Sequence, residues 1–227
     1  MNLGPDTIIV WKYGIFNLNE TILATWGLMI FLSLVALSIS RRLASDVTIS
    51  KWQNGLEIIV LAVVGQIKEV GLQPPERYVS FLGSMFVFLV TANCFSIFPG
   101  YRSPTSSLST TAALAIIVFV SVIAFGIREK GVKRYFLDYC EPTFIMLPFN
   151  VIGEVSRTIS LAVRLFGNMM SGELIVSILL SITPFFIPVV MNMFGLFIGM
   201  VQAYVFTILS MVYIAAATHV EKVKKGE

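Results

Sequence analysis

The sequence predicts an all-α polytopic membrane protein with about five membrane-embedded helices and one amphipathic surface helix. Hydrophobic residues make up 56% of the 227 positions and charged residues only 13%, which is about half the charge of an average soluble domain. Long apolar segments, separated by short basic stretches, are the second observation. Both argue against a water-soluble enzyme and against a disordered chain. They predict a single membrane domain over residues 1–227.

The first spanning helix is predicted over residues 21–40, which carry no charge and are followed by Arg41 and Arg42. A run of about 20 apolar residues is long enough to cross a bilayer. The residues before it lack the basic start and short apolar core of a secretion signal. We therefore expect a retained helix rather than a cleaved peptide, and a bacterial plasma membrane as the location.

Residues 50–71 have a different character, because they mix apolar side chains with lysines, glutamates and glutamines. This pattern is typical of a helix that lies on the membrane surface. The alternative is an ordinary cytoplasmic helix packed on a partner. Pro74 and Pro75 are expected to end this helix.

Two further spans, residues 78–98 and 108–127, are predicted to form a hairpin. The basic residues fall on one side of the predicted spans: the stretches 41–77 and 128–134 and the C-terminal tail hold twelve of the 16 lysines and arginines. Cytoplasmic loops are enriched in these residues. The sequence therefore predicts an N-terminus outside and a C-terminus in the cytoplasm.

The last two apolar segments, residues 143–182 and 184–218, are too long for upright spans. As one helix the first would measure ~60 Å, against a hydrocarbon core of ~30 Å. A break would add a crossing and conflict with the basic C-terminal tail. We therefore predict a long, strongly tilted hairpin that turns near Pro184 and Pro188.

Ionisable side chains within residues 143–182 are the first candidates for function, because charges in a membrane segment are costly. At about 100° per residue, one face of this helix collects small and polar residues, namely Gly153, Arg157, Ser160, Arg164, Asn168 and Ser171. Glu173 falls on the opposite side, where it could line a water-filled cavity. Arginine stays protonated, so Arg164 can attract a carboxylate or block a cation but cannot relay a proton. Glu154 and Arg157 have the spacing of a local ion pair, which is their alternative interpretation.

The final segment carries a matching face of small and polar residues, which are Asn192, Gly195, Gly199, Gln202 and Tyr213. Such a face suits close approach and polar contact with another helix. For the glycines, simple packing within the chain is an equally open alternative.

The sequence contains no Gly-rich phosphate loop, no nucleophile elbow and no His/Cys cluster. Its two cysteines, Cys94 and Cys140, match no metal-ligand spacing. We therefore expect no catalytic residue, metal, cofactor or nucleic-acid partner, and no binding of ATP by this chain.

The stretch Ser160–Leu174, with the sequence SLAVRLFGNMMSGEL, resembles the signature of subunit a of the rotary F-type ATP synthases. Three other parts of the chain are similar to the same family: Pro104-Thr105 with Ser109–Ala115, Met146–Asn150, and Gln202–Phe206. The resemblance covers most of the chain from about residue 50 onward.

The resemblance implies two long, nearly in-plane helices wrapped against a ring of c subunits, with b-type peripheral stalk subunits as further partners in the complex. It matches Arg164 to the family's essential stator arginine and Glu173 and Gln202 to polar positions along the ion pathway. Ser160 and Asn168 match flanking positions on the same helix. Some bacterial relatives have a histidine where this chain has Gly195, so Glu173 is expected to serve without that partner.

The function that the resemblance implies is ion conduction through two offset half-channels that deliver H⁺ or Na⁺ to and from a carboxylate on the ring. The alternative is a stand-alone ion-coupled secondary transporter, in which Arg164 would hold an anionic substrate and Glu173 would couple protons. The small number of spans and the absence of a visible internal repeat disfavour it. A purely structural subunit is the weakest interpretation, because it leaves Arg164 without a purpose.

Overall fold

The computed structural model describes residues 9–13, 16–41, 51–96, 103–140, 145–183 and 186–218. Within them, a β hairpin is followed by seven helices. The elements are β1 (Ile9–Tyr13), β2 (Phe16–Asn19), α1 (Glu20–Ser40), α2 (Lys51–Glu69), α3 (Glu76–Phe95), α4 (Leu108–Lys130), α5 (Val132–Cys140), α6 (Met146–Ile182) and α7 (Phe186–Thr218). A short 3-10 turn, Pro104–Ser106, precedes α4.

Five of these helices, α1, α3, α4, α6 and α7, are long and apolar enough to cross a membrane. The chain is therefore a multi-pass membrane protein, and the predicted helical class is confirmed. The antiparallel hairpin of β1 and β2, in which Tyr13 pairs with Phe16, was not expected. Its aromatic and β-branched residues favour extended structure, but two strands of this length give too weak a signal in the sequence.

α2 ends before the two prolines that were expected to stop it. Gly71 has a φ of +88°, and the amide of Leu72 donates to the carbonyl of Ile67 at 3.1 Å. This is a Schellman cap, in which the glycine adopts the left-handed conformation and the apolar residue after it packs back on the helix. Leu72 and Ile67 are accordingly both buried. Pro75 instead occupies the position directly before α3, where it makes no side-chain capping hydrogen bond.

α6 is one unbroken helix of 37 residues, which excludes the broken-helix alternative. α7 follows with 33 residues. Pro188 lies in the first turn of α7, where a missing backbone N–H costs no helical hydrogen bond, whereas Pro184 lies outside the described residues. How steeply the two helices tilt in a membrane stays a prediction.

The core lies where α3, α4, α6 and α7 pack together. Each helix contributes apolar residues to one cluster, including Leu82, Val118, Leu165 and Phe206, and these four are at most 2% exposed. Outside this cluster, α1, α6 and α7 expose many large apolar side chains, as expected of helices that face lipid or partner subunits.

Side-chain contacts hold the first turn of α3 against the last turns of α4. Arg77 and Glu129 form an ion pair there, and the hydroxyl of Tyr78 donates to the same carboxylate at 3.5 Å. The ring of Tyr78 also packs on Phe125, with 4.9 Å between centroids. These contacts tie the start of α3 to the end of α4, and the spanning hairpin of residues 78–98 and 108–127 stays a prediction.

The basic stretch 128–134 covers the end of α4 and the start of α5. Arg128 and Lys130 lie in the last turn of α4, Gly131 turns the chain with a φ of +83°, and Lys133 and Arg134 belong to α5. The C-terminal lysines lie outside the described residues, so the orientation of the termini stays a prediction.

Candidate functional site

Arg164 lies at the midpoint of α6, as far as possible from both helix ends. Its side chain is exposed, and it makes no hydrogen bond or ion pair with any residue that the structure describes. Leu161 and Leu165 lie on the adjacent face of α6 and are 2% and 0% exposed, so that this adjacent face is in the core. The guanidinium therefore points away from the bundle. A cation at this depth needs water or an opposite charge from another molecule.

Asn168, one turn after Arg164, links α6 to α7. Its Nδ2 donates to Oε1 of Gln202 at 2.8 Å. Gln202 is 5% exposed, and its Nε2 is buried without a hydrogen-bond partner among the described residues. The two predicted polar faces thus meet at this amide pair, which places Gln202 between Asn168 and the core.

The other polar residues of α6 are divided between two flanks. The buried strip of this helix consists of Leu161, Ala162, Leu165 and Met169. Ser160 and Ser171 are exposed on the flank of Arg164, and Ser171 Oγ donates to the carbonyl of Asn168 at 3.1 Å. Glu173 is half-buried and lies on the opposite flank, by the helical spacing of about 100° per residue. The structure therefore does not bring Glu173 and Arg164 together.

Arg157 and Glu154 form the local ion pair that their spacing suggests, with 3.4 Å between Nη1 and Oε1. The guanidinium of Arg157 also lies 5.8 Å from the ring centroid of Tyr213 on α7, within the range of a cation–π contact. Arg157 is thus engaged within its own chain, in contrast to Arg164.

The predicted small-residue face of α7 splits into two parts. Gly195 has no atom within 4 Å of where a Cβ would stand, so the space beside it is open, and Asn192 is half-buried. Gly199 is buried, and a Cβ there would lie 3.2 Å from three side-chain atoms of Asn93 on α3. Gly199 therefore packs within the chain, which is the alternative left open above.

A buried polar cluster around Asn93 was missed by the sequence reasoning. Asn93 is fully buried, and its Nδ2 donates to the carbonyl of Gly199 at 2.7 Å. Its Oδ1 accepts from the hydroxyl of Thr105 at 3.1 Å, which lies 2.7 Å from that of Ser103. The cluster holds α3, α7 and the turn before α4 together. A lone amide in the apolar segment 78–98 was the available signal.

The described part of the chain contains no group of three His, Cys, Asp or Glu side chains that could hold a metal ion. Its polar centre is instead built from one free guanidinium and a pair of amides. Such groups can attract and orient charge, but they offer no nucleophile.

Comparison with known proteins decides the family. The family model described as "ATP synthase A chain" matches residues 22–215. This chain belongs to that family.

Three relatives illustrate the closeness of the match across the family. The chain is 56% identical to ATP synthase subunit a of Albidiferax ferrireducens over 224 residues, which is 99% of this chain and 97% of the relative. It is 56% identical to ATP synthase subunit a 1 of Prosthecochloris aestuarii over 218 residues, covering 96% and 98%. The identity to ATP synthase subunit a 1 of Crocosphaera subtropica is 49%, over 100% of this chain and 98% of the relative.

Proposed function

We propose that this chain is the ion-conducting stator subunit of an F-type ATP synthase. Its partners would be a ring of c subunits, b-type peripheral stalk subunits and the rest of the complex, in a bacterial inner membrane with the C-terminus in the cytoplasm. The observation that carries the proposal is the unpaired, outward-facing Arg164 at the midpoint of α6, in a chain of the ATP synthase A chain family.

In this mechanism an ion enters from outside through one aqueous half-channel and binds a carboxylate of the ring. The ring turns, and the ion leaves on the cytoplasmic side through a second half-channel that is offset from the first. A nearby positive charge favours the ionised form of a carboxylate. Arg164 therefore promotes release of the ion from each carboxylate that reaches it.

Arg164 also separates the two half-channels. A fixed cation repels any cation that would pass directly between them. Moving one charge through 100 mV is worth about 2.3 kcal/mol, so a direct path would discard the driving force. Arg164 forms no ion pair with the described residues. This supports the role, because none of those residues neutralises the charge of Arg164.

Glu173 and the amide pair have different tasks. The half-buried Glu173 lies on the other flank of α6 and would line one half-channel. Asn168 lies one turn after Arg164 on α6 and is joined to Gln202 of α7 at 2.8 Å. The two amides would keep the path polar where α6 meets α7. Ser160 and Ser171 are exposed on the arginine side and would add hydroxyls there.

The test compares ion uptake by vesicles that contain the full-length chain alone with uptake by vesicles that contain the complete complex. We expect ATP-driven uptake by the complete complex and no coupled uptake by the chain alone, with proton and sodium signals recorded together to identify the ion. Substrate-coupled ion transport by the chain alone would overturn the proposal in favour of a secondary transporter.

Replacing Gln202 with methionine separates stability from function. The change removes one hydrogen bond and a buried amide whose Nε2 has no partner among the described residues. Asn168 is exposed, so its amide is not left buried without a partner, which is the costly outcome of losing a hydrogen bond. We expect the resistance of the chain to denaturation by SDS to change little and ATP-driven uptake by the complex to fall severalfold. The opposite result, a destabilised chain with normal uptake when assembled, would make Gln202 a packing residue.

A further inference from the structure

α5 is a short helix that is held firmly on one side. Tyr135 is 3% exposed and packs so closely on α4 that a Cβ at Gly126 would lie 2.5 Å from its ring. Lys130 Nζ contacts Asp138 Oδ2 at 2.7 Å. These two contacts orient α5 against the end of α4, so the direction of its remaining side chains is set.

The free side of α5 carries large apolar side chains together with basic ones. Val132, Phe136 and Leu137 are 58%, 58% and 60% exposed. Taking Val132 as zero, the exposed side chains fall at about 40° for Phe136, 100° for Lys133, 140° for Leu137 and 200° for Arg134 around the helix axis. Val132 and Phe136 therefore lie opposite Arg134, as expected of a helix that lies in a membrane interface. Lys133 and Leu137 lie on the side between them.

Basic groups surround this apolar flank. Arg128, Lys133 and Arg134 are exposed, and none of them forms an ion pair with a residue that the structure describes. Lys130 differs, because Asp138 neutralises it. These three unpaired cations give the surface formed by α5 and the end of α4 a net positive charge, which no residue of the described chain balances.

We propose that α5 lies in the membrane interface and that Lys133, Arg134 and Arg128 bind the phosphate headgroup of an anionic phospholipid. Only Gly131 separates α5 from α4, a helix that is long and apolar enough to cross the membrane, so α5 sits at the level where headgroups begin. Phe136 and Val132 enter the acyl region, while the lysine and arginine stems reach up to the phosphates. Anionic lipids attract basic side chains at this level. The inference does not depend on the route of the ion.

The test uses a Phe136→Trp variant in the complete complex, reconstituted in nanodiscs with brominated phosphatidylglycerol or brominated phosphatidylcholine at equal mole fractions. Bromine quenches the introduced indole when the lipid is in contact with it, and the complex without the substitution supplies the background. We expect stronger quenching by phosphatidylglycerol. The preference should fall by about fivefold for each basic side chain removed, and it should weaken in high salt.

The decisive comparison adds Lys133→Gln with Arg134→Gln, against Arg41→Gln with Lys68→Gln as a control that removes two exposed charges elsewhere. The first pair should abolish the preference but leave the quenching that both lipids share, and the control should keep the preference. Equal quenching by both lipids in the starting variant would overturn the proposal. No quenching by either lipid would overturn it too, because α5 would then be covered by protein, for instance by an acidic partner.

Discussion

Replacing Arg164 with alanine is expected to abolish ATP-driven ion uptake by the complete complex. Arg164 is an unpaired, outward-facing cation at the midpoint of α6. In the mechanism proposed above, release of the ion from the ring carboxylate and separation of the half-channels both depend on this charge. We expect coupled uptake to fall to background, and a passive leak to appear when an ion gradient is imposed without ATP.

The measurement is ATP-driven uptake in vesicles, with the subunit content of the variant complex determined in parallel. Arg41→Ala is the control, because it removes the same side chain from the exposed end of α1, where the mechanism places no role. Retention of coupled uptake by an assembled Arg164→Ala complex would show that the arginine is structural. Where assembly of the Arg164→Ala complex is only partial, coupled uptake and passive leak are compared per assembled complex, and normal coupling per complex would overturn the prediction.

The second prediction with a large expected effect concerns the stability of the contact between α3 and α7. We expect Gly199→Val to destabilise the chain by about 1–3 kcal/mol, the usual cost of overpacking. The added carbons would meet Asn93, which lies 3.2 Å from a Cβ at this position, and would disturb its bonds to the Gly199 carbonyl and to Thr105. Denaturation of the purified full-length chain by SDS, followed by circular dichroism, measures the change.

Gly195→Val is the matched control, since it makes the same exchange one turn earlier on α7. A Cβ at Gly195 would have no neighbouring atom within 4 Å. It should leave the stability of the isolated chain nearly unchanged. In the complex it should reduce coupled uptake, because the open space beside Gly195 would let a ring helix approach closely and a valine would fill that space. If both variants destabilised the isolated chain equally, the different packing of the two glycines would not explain the result.

The sequence predicted the features that follow from the cost of placing polar groups in a membrane. Arg164 was a candidate because placing a charge in the middle of a long apolar segment costs free energy and indicates a function. The five long helices followed from the lengths of the apolar segments. That Arg164 lacks an ion pair with the described residues could not be known beforehand. The sequence excludes acids at neighbouring positions of the same helix, but the other helices had to be placed first.

Contacts between helices were the part that the sequence could not supply. Asn168 and Gln202 were each predicted on a polar face, yet their pairing at 2.8 Å depends on the relative shift of α6 and α7. α5 was overlooked because its place depends on Tyr135 fitting against Gly126, a contact between residues of two elements. Asn93 was passed over because a single amide in an apolar run does not reveal its partners.

The unbroken length of α6 has a consequence for the lipids around the protein. Its 37 residues extend over ~55 Å, and the hydrocarbon layer is ~30 Å thick. When its ends reach opposite surfaces, they are displaced sideways from each other by roughly 45 Å on these two lengths. The outer and inner leaflets therefore meet the protein at separate places, each with its own neighbouring lipids. Changing the composition of one leaflet is expected to affect one end of α6 and to leave the other end in its original surroundings.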